Sequence, residues 1–137
     1  MEGISQSEWE VMRVVWTLGS VSAKEIISNL DQTGWQASTI KTLIGRLVKK
    51  GCLHVEQKQR PYQYSALITE DKAMNQSAVA LFQHFCAKKK GQTLVQLVAQ
   101  MELSQADVQN LQQLLSEKQA HAPKQVACDC LKGAHCE

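Results

Sequence analysis

The stretch from Ser38 to Gly51 reads STIKTLIGRLVKKG. Its large aliphatic side chains recur at helical spacing, and Gly51 suits the left-handed residue that follows a helix end. The aliphatic residues are Ile40, Leu43, Ile44, Leu47 and Val48. The opposite face carries hydroxyls and cations without a carboxylate, namely Ser38, Thr39, Lys41, Thr42, Arg46 and Lys49. The pattern predicts a helix that buries one face and offers the other to phosphates and base edges.

Two helices are predicted upstream of this one, and the second of them is short. Ser5 with Glu8 and Ser22 with Glu25 have the spacing of reciprocal capping pairs, and each pair precedes an apolar helical stripe. Gly19 is expected to end the first helix. The start of the third helix is less clear, and Ser38 is the expected cap because Gln36 and Ala37 are poor ones.

A β-hairpin is predicted directly after the third helix. Apolar and polar residues alternate over 53–57 and again over 62–66, on either side of the turn 58–61. Three helices followed by such a hairpin are the order of a winged helix domain, in which the third helix enters the DNA major groove and the wing touches the flanking backbone. The fold class is therefore mainly α. The predicted DNA-binding residues are Ser38, Thr39, Lys41, Thr42, Arg46, Lys58 and Arg60.

The charge distribution agrees with a polyanion partner. The 137-residue chain has a formal net charge of +2, but residues 36–64 contain six basic residues and one acidic residue and so carry +5. Such a segment is either a solvated face or a binding surface for double-stranded DNA. The longest apolar run, Ala78–Phe82, is too short to cross a membrane, and the acidic start does not resemble a secretory signal. We expect a cytoplasmic protein without a membrane partner.

Three further apolar stripes predict helices between residues 68 and 120. Thr69 opens the first, which is expected to end at Lys88–Lys90 and Gly91, and Ser104 opens the last. The stripes are too narrow to enclose a core of their own. They predict a homodimer, with ordinary packing within one chain as the alternative. The expected regions are a DNA-binding domain (1–67), a helical dimerisation region (68–120) and a cysteine-rich tail (121–137).

The five cysteines fall into two groups. Cys52 and Cys86 have apolar neighbours and are predicted to be small core residues. Cys128, Cys130 and Cys136 lie within the last ten residues, in a polar stretch that needs no packing. An odd count in a reducing compartment favours metal binding or redox chemistry over disulfides. Three thiols so close together can bind one zinc or Cu(I) ion, with His135 as a candidate additional ligand.

The chain resembles the penicillinase repressor family over about residues 4 to 119. The resemblance is carried by residues 38–51, by the upstream segment SEWEVM (7–12) and by the downstream segment YQYSA (62–66). Within that family the tail resembles copper-responsive repressors of copper-transport operons. The resemblance implies a dimeric winged helix repressor that holds zinc on its operator and is released by Cu(I), with a copper chaperone as a further partner.

The tail departs from the pattern of those repressors, which is two Cys-x-Cys pairs. Cys128 and Cys130 form the first pair, but the second is represented by Cys136 followed by Glu137. His135, Glu137 or a partner subunit must then complete the ligand set, unless the chain continues beyond Glu137.

Three other functions fit the residues less well than a metal-responsive repressor. The histidines show no spacing that suggests a catalytic triad, so an enzyme is not expected. A copper-buffering thiol protein would not require the basic helix and wing. The main alternative is a repressor of an antibiotic-resistance operon that is released by proteolysis, although such members of the family lack a thiol tail.

Overall fold

The computed structural model describes residues 3–131, which form two compact units, one ending at Ala80 and the other beginning at Leu81. The helices are α1 (Gln6–Leu18), α2 (Ala23–Ser28), α3 (Ala37–Lys49), α4 (Glu70–Gln83), α5 (Lys90–Gln100) and α6 (Gln105–Gln119). The strands are β1 (Val21–Ser22), β2 (Leu53–Glu56) and β3 (Gln63–Ala66). Short 3₁₀ turns lie at Asp31–Thr33 and Ala87–Lys89. The first unit is a winged helix, as predicted.

The helix starts follow their capping residues. The Ser5 hydroxyl accepts the backbone N–H of Glu8 at 3.2 Å, and the Glu8 carboxylate accepts the backbone N–H of Ser5 at 2.8 Å. Ser22 and Glu25 form the same reciprocal pair at α2, so both predicted capping boxes are confirmed.

The ends of α3 confirm one prediction and correct another. Gln36 is the N-cap, and its side chain makes no capping hydrogen bond. The prediction of Ser38 as the cap is wrong, because Ser38 is already helical and its carbonyl accepts the Thr42 hydroxyl at 3.0 Å. At the other end Gly51 has φ +82°, the left-handed conformation expected there.

The hairpin is confirmed, and a third strand that was not predicted joins it. The sheet order is β1-β3-β2, with both pairs antiparallel. β2 and β3 pair from Leu53 with Ala66 to Glu56 with Gln63, and Val21 of β1 lies opposite Tyr64. β1 has only two residues, which are too few to show the alternation of apolar and polar side chains that predicts a strand. It is a strand because it pairs with β3.

The core of the first unit lies between α1, α2, α3 and the sheet. Its fully buried side chains are Val11, Met12, Val15, Val21, Ile26, Leu30, Ile40, Leu47, Cys52, Leu53 and Ala73, with Leu43, Ile44 and Ile68 at 5% exposure or less. The indole N–H of Trp16 donates to the carbonyl of Ile68 at 2.9 Å. This hydrogen bond ties α1 to the segment that follows the wing.

The second unit differs from the sequence prediction near residue 84. The helix that opens at Thr69 ends at Gln83 rather than at the lysine run, because the backbone tightens through hydrogen bonds from His84 to Leu81 and from Phe85 to Phe82. Lys90 and Gly91 instead begin α5. Ser104 caps α6, as predicted. Within residues 3–131, every helix is too short or too polar to span a bilayer.

Candidate functional site

The outward face of α3 carries every residue that the sequence assigned to it for DNA binding. Ser38, Thr39, Lys41, Thr42 and Arg46 are all exposed. They are exposed because Ile40, Leu43, Ile44 and Leu47 turn the other face of the helix into the core. No acidic residue occurs in α3, so the exposed face is uniformly basic and hydroxylic.

The wing contributes the other two predicted residues. Lys58 and Arg60 are exposed in the loop between β2 and β3. The guanidinium carbon of Arg60 lies 5.4 Å from the centre of the Tyr62 ring, within the range of a cation–π contact. This contact restrains the Arg60 side chain within the wing.

A groove of the first unit brings the third helix and the wing together. Its lining includes Lys41 of α3 and Arg60 of the wing, and it also includes Lys24 of α2. Sequence reasoning missed Lys24, which is exposed in the first turn of α2. A signal was available, since the helix before the recognition helix of a helix-turn-helix unit crosses the DNA backbone. Three cations therefore line one groove.

A cluster of three thiols lies in the second unit. The Sγ atoms of Cys86, Cys128 and Cys130 are all within 4.8 Å of one another, and those of Cys86 and Cys128 are 3.6 Å apart. Each of the three residues is half-buried. We call this group the thiol cluster. The predicted ligands Cys128 and Cys130 belong to it, whereas Cys136 and His135 lie outside the described residues.

The prediction that Cys86 is a core residue is wrong. Because α4 ends at Gln83, Cys86 lies in the turn before α5 and not in a core. The basic run that follows Cys86 is also typical of a helix end, and no local motif links Cys86 to Cys128, 42 residues away. Cys52 behaves as predicted. It is fully buried in the core of the first unit, and burial raises the pKa of its thiol, so it stays protonated.

Two backbone hydrogen bonds order the cysteine tail beside Cys86. The backbone N–H of Ala87 donates to Oδ1 of Asp129 at 2.7 Å. The backbone N–H of Cys130 donates to Sγ of Cys128 at 3.4 Å. The residue between the two tail cysteines therefore holds them against the turn that contains Cys86.

The thiol cluster fits a thiophilic metal ion. With metal–sulfur bonds of about 2.3 Å, two sulfurs of one tetrahedral site lie about 3.8 Å apart, and those of a planar three-coordinate site about 4.0 Å apart. In the cluster one pair of sulfurs is 3.6 Å apart, and all three lie within 4.8 Å of one another. The three sulfurs are therefore close enough together to be ligands of one ion.

Comparison with known proteins identifies the family. The family model described as penicillinase repressor matches residues 4–117. The chain belongs to the penicillinase repressor family. It is thus a transcriptional repressor with a winged helix DNA-binding unit, which confirms the coarser part of the resemblance and fits the expectation that it is not an enzyme.

Several members of the family are similar to this chain. A protein from Latilactobacillus sakei, described as an uncharacterized 16.5 kDa protein in the ptsI 3' region, is 54% identical over 129 residues, covering 93% of this chain and 88% of that protein. The methicillin resistance regulatory protein MecI of Staphylococcus aureus is 30% identical over 116 residues, covering 84% and 94% respectively. A solved structure of the CopR repressor is 40% identical, with a TM-score of 0.42, and covers 49% of this chain and 99% of that one.

Proposed function

We propose that this repressor binds a two-fold symmetric operator of a copper-homeostasis operon as a zinc-loaded homodimer, and that Cu(I) releases it. The observation that carries the proposal is the thiol cluster, whose three sulfurs suit a thiophilic metal ion. A copper chaperone that delivers Cu(I) is a further expected partner.

DNA binding is supported by the basic groove of the first unit. In this proposal Lys41 and Thr42 of α3 contact base edges, with Ser38 and Thr39 on the same face. The phosphate contacts come from Arg46, Lys58 and Arg60. The exposure of all these side chains and the absence of carboxylates from α3 support the assignment.

Dimerisation is supported by the helices of the second unit. Neither α5 nor α6 contains a fully buried residue. Their large apolar side chains are widely exposed, including Leu94 at 48%, Val95 at 69% and Leu115 at 55%. Apolar surface of this extent on helices marks an interaction site. A second copy of the chain is the occupant that also supplies the second recognition helix for a symmetric operator.

Metal responsiveness is supported by the chemistry of the donors. Zinc takes four tetrahedral sulfur or nitrogen ligands. A bound zinc ion can therefore link the tail to another segment that supplies one of these ligands. Cu(I) is softer and is satisfied by fewer thiolates, so it competes well for the same sulfurs. Cys128 and Cys130 hold either ion in this proposal. Cys136 is the third zinc ligand, and His135, Glu137 or a second subunit supplies the fourth.

A mobility-shift titration tests the proposal. Duplexes that the zinc-loaded protein selects from a random pool are bound and then titrated with Cu(I) under anaerobic conditions. We expect release of the wild-type protein and no copper-dependent release of a Cys128→Ser, Cys130→Ser variant. Cys52→Ala is the control, since it removes a core thiol of the other unit and should leave the copper response unchanged.

Two results would contradict the proposal. If Cu(I) fails to release the wild-type protein, or releases the double variant equally well, the tail is not the sensor. Release by proteolysis then becomes the better explanation, in line with relatives that are named as regulators of methicillin resistance. A pure copper buffer is distinguished by its failure to select any duplex.

A further inference from the structure

We infer that Cys86 is a Cu(I) ligand, and that Cys86, Cys128 and Cys130 form a three-thiolate site closed within one chain. The inference rests on the proposed function, because it assumes that the tail binds metal. It adds a ligand that lies outside the tail and outside any Cys-x-Cys pair.

The distances are the first support for this assignment. Cys86 and Cys128 are 42 residues apart in the chain, yet their sulfurs are 3.6 Å apart. The Cys130 sulfur is within 4.8 Å of both. A polar tail has no packing reason to bring its two thiols to the one cysteine of the helical region.

The hydrogen bonds around the cluster are the second support. Asp129 separates the two tail cysteines, and its carboxylate accepts the backbone N–H of Ala87, the residue after Cys86, at 2.7 Å. The carboxylate thus fixes the tail to the turn at the position where all three sulfurs meet. Hydrogen bonds of this kind orient ligands at metal sites, and removing them weakens metal binding. Asp129 is therefore a positioning residue.

The local charge is the third support. Three thiolates around Cu(I) carry a net charge of −2. Lys88, Lys89 and Lys90 begin two residues after Cys86 and give this part of the chain three formal positive charges. Cations this close in sequence offset part of the negative charge of the copper-bound site.

The number of ligands makes this three-thiolate site selective for Cu(I) over zinc. Cu(I) is satisfied by three thiolates, whereas zinc in a structural site requires a fourth donor. Cu(I) binding releases the thiol protons to solvent and leaves the copper in the Cu(I) state. The tail is then tied to the turn between α4 and α5, next to the helices that we propose for the dimer contact.

The test measures Cu(I) binding by the full chain without DNA. Protein competes with bathocuproine disulfonate for Cu(I), and X-ray absorption counts the sulfur ligands. We expect three sulfurs in the wild type. The Cys86→Ser variant should keep two sulfurs and lose about 100-fold or more in affinity, while the control variant Cys52→Ala should match the wild type.

A second pair of variants tests the positioning role. Asp129→Ala should weaken Cu(I) binding by about tenfold, and Asp129→Asn, which keeps an oxygen acceptor for the Ala87 N–H, should restore it. This pair leaves the thiols intact and therefore also serves if Cys86→Ser does not fold.

The outcomes separate the two proposals. If Cys86→Ser keeps the affinity and sulfur count of the wild type while Cys128→Ser, Cys130→Ser loses copper, the assignment of Cys86 is overturned and the metal-responsive tail stands. A loss of one sulfur in Cys136→Ser instead of Cys86→Ser has the same meaning. If the wild-type protein does not retain Cu(I), the proposed function fails as well.

Discussion

The ammonium group of Lys50 lies 2.6 Å from Oε1 of Glu8. The pair joins the end of α3 to the first turn of α1, and Lys50 also donates to the carbonyl of Gly3 at 2.9 Å. The Glu8 side chain is 1% exposed, and its Oε1 also accepts the backbone N–H of Ser5. One carboxylate therefore caps α1 and fixes the far end of the recognition helix.

Removing the cation from this pair should destabilise the first unit strongly. Lys50→Met leaves the Glu8 carboxylate buried without its counter-ion, which should cost about 3 kcal/mol in the free energy of unfolding by urea. Lys49→Met, an exposed neighbour on the same helix, is the control and should change stability little. An equal loss in both variants would show that Lys50 acts through general charge and not through Glu8.

The same pair predicts an acid-sensitive step in stability. Burial by itself raises the pKa of Glu8, but the hydrogen bonds from Lys50 and Ser5 outweigh it and hold the pKa below its ordinary value of 4.5. A lowered folded-state pKa stabilises the protein above about pH 4.5, and this stability is lost as the pH falls through the folded value. Urea unfolding between about pH 7 and pH 3 should show this loss. A Glu8→Gln variant should lose less stability over the same range.

The cations of the groove should contribute salt-dependent DNA affinity. Lys24→Ala and Arg60→Ala should each weaken binding to all duplexes alike and reduce the salt slope by about 1 per subunit, because each removes one phosphate contact. Lys118→Ala, which removes a charge from α6, is the control. Arg46→Ala is expected to behave as Arg60→Ala does. If Lys24→Ala, Arg60→Ala and Arg46→Ala all leave the salt slope of DNA binding unchanged, this surface does not contact the DNA phosphates.

Two glycine substitutions should have opposite effects on stability. Gly45 lies inside α3, and a Cβ there would meet no atom within 4 Å, so Gly45→Ala should raise the free energy of unfolding by about 0.5–1 kcal/mol. Gly34 has φ +76°, so Gly34→Ala should lower it by about 1 kcal/mol. Thermal unfolding of both variants checks the signs. If Gly45→Ala lowers the stability instead, the added Cβ must contact atoms that lie more than 4 Å away in the structure.

The apolar face of α6 should be required for dimerisation. Leu115→Asp places a charge in the proposed interface and should weaken dimerisation about 100-fold or more in sedimentation experiments, since a buried unpaired charge is costly. Gln112→Asp adds the same charge at an exposed polar position of α6 and is the control. A wild-type chain that sediments as a monomer at micromolar concentration would contradict the dimer itself.

Most of the helical content could be predicted because its signals are local. The capping boxes at Ser5 and Ser22 act within three residues, and the stripe of α3 repeats within one turn. The error at the start of α3 has a local cause, since Gln36 holds the N-cap position without a side-chain hydrogen bond. The error at the end of α4 arose because a lysine run and a glycine also suit the first turn of a following helix.

The sequence by itself determined the helices, the hairpin, the basic face of α3 and the presence of soft ligands in the tail. These follow from residue spacing, because helix caps, periodicity and turn residues act over a few positions. The tertiary structure decided which distant residues come together: β1 pairs with β3, Cys86 contacts Cys128, and Lys24 and Arg60 line the same groove. Such contacts depend on where packing brings separate segments of the backbone, and neither the spacing nor the identity of the residues records that position.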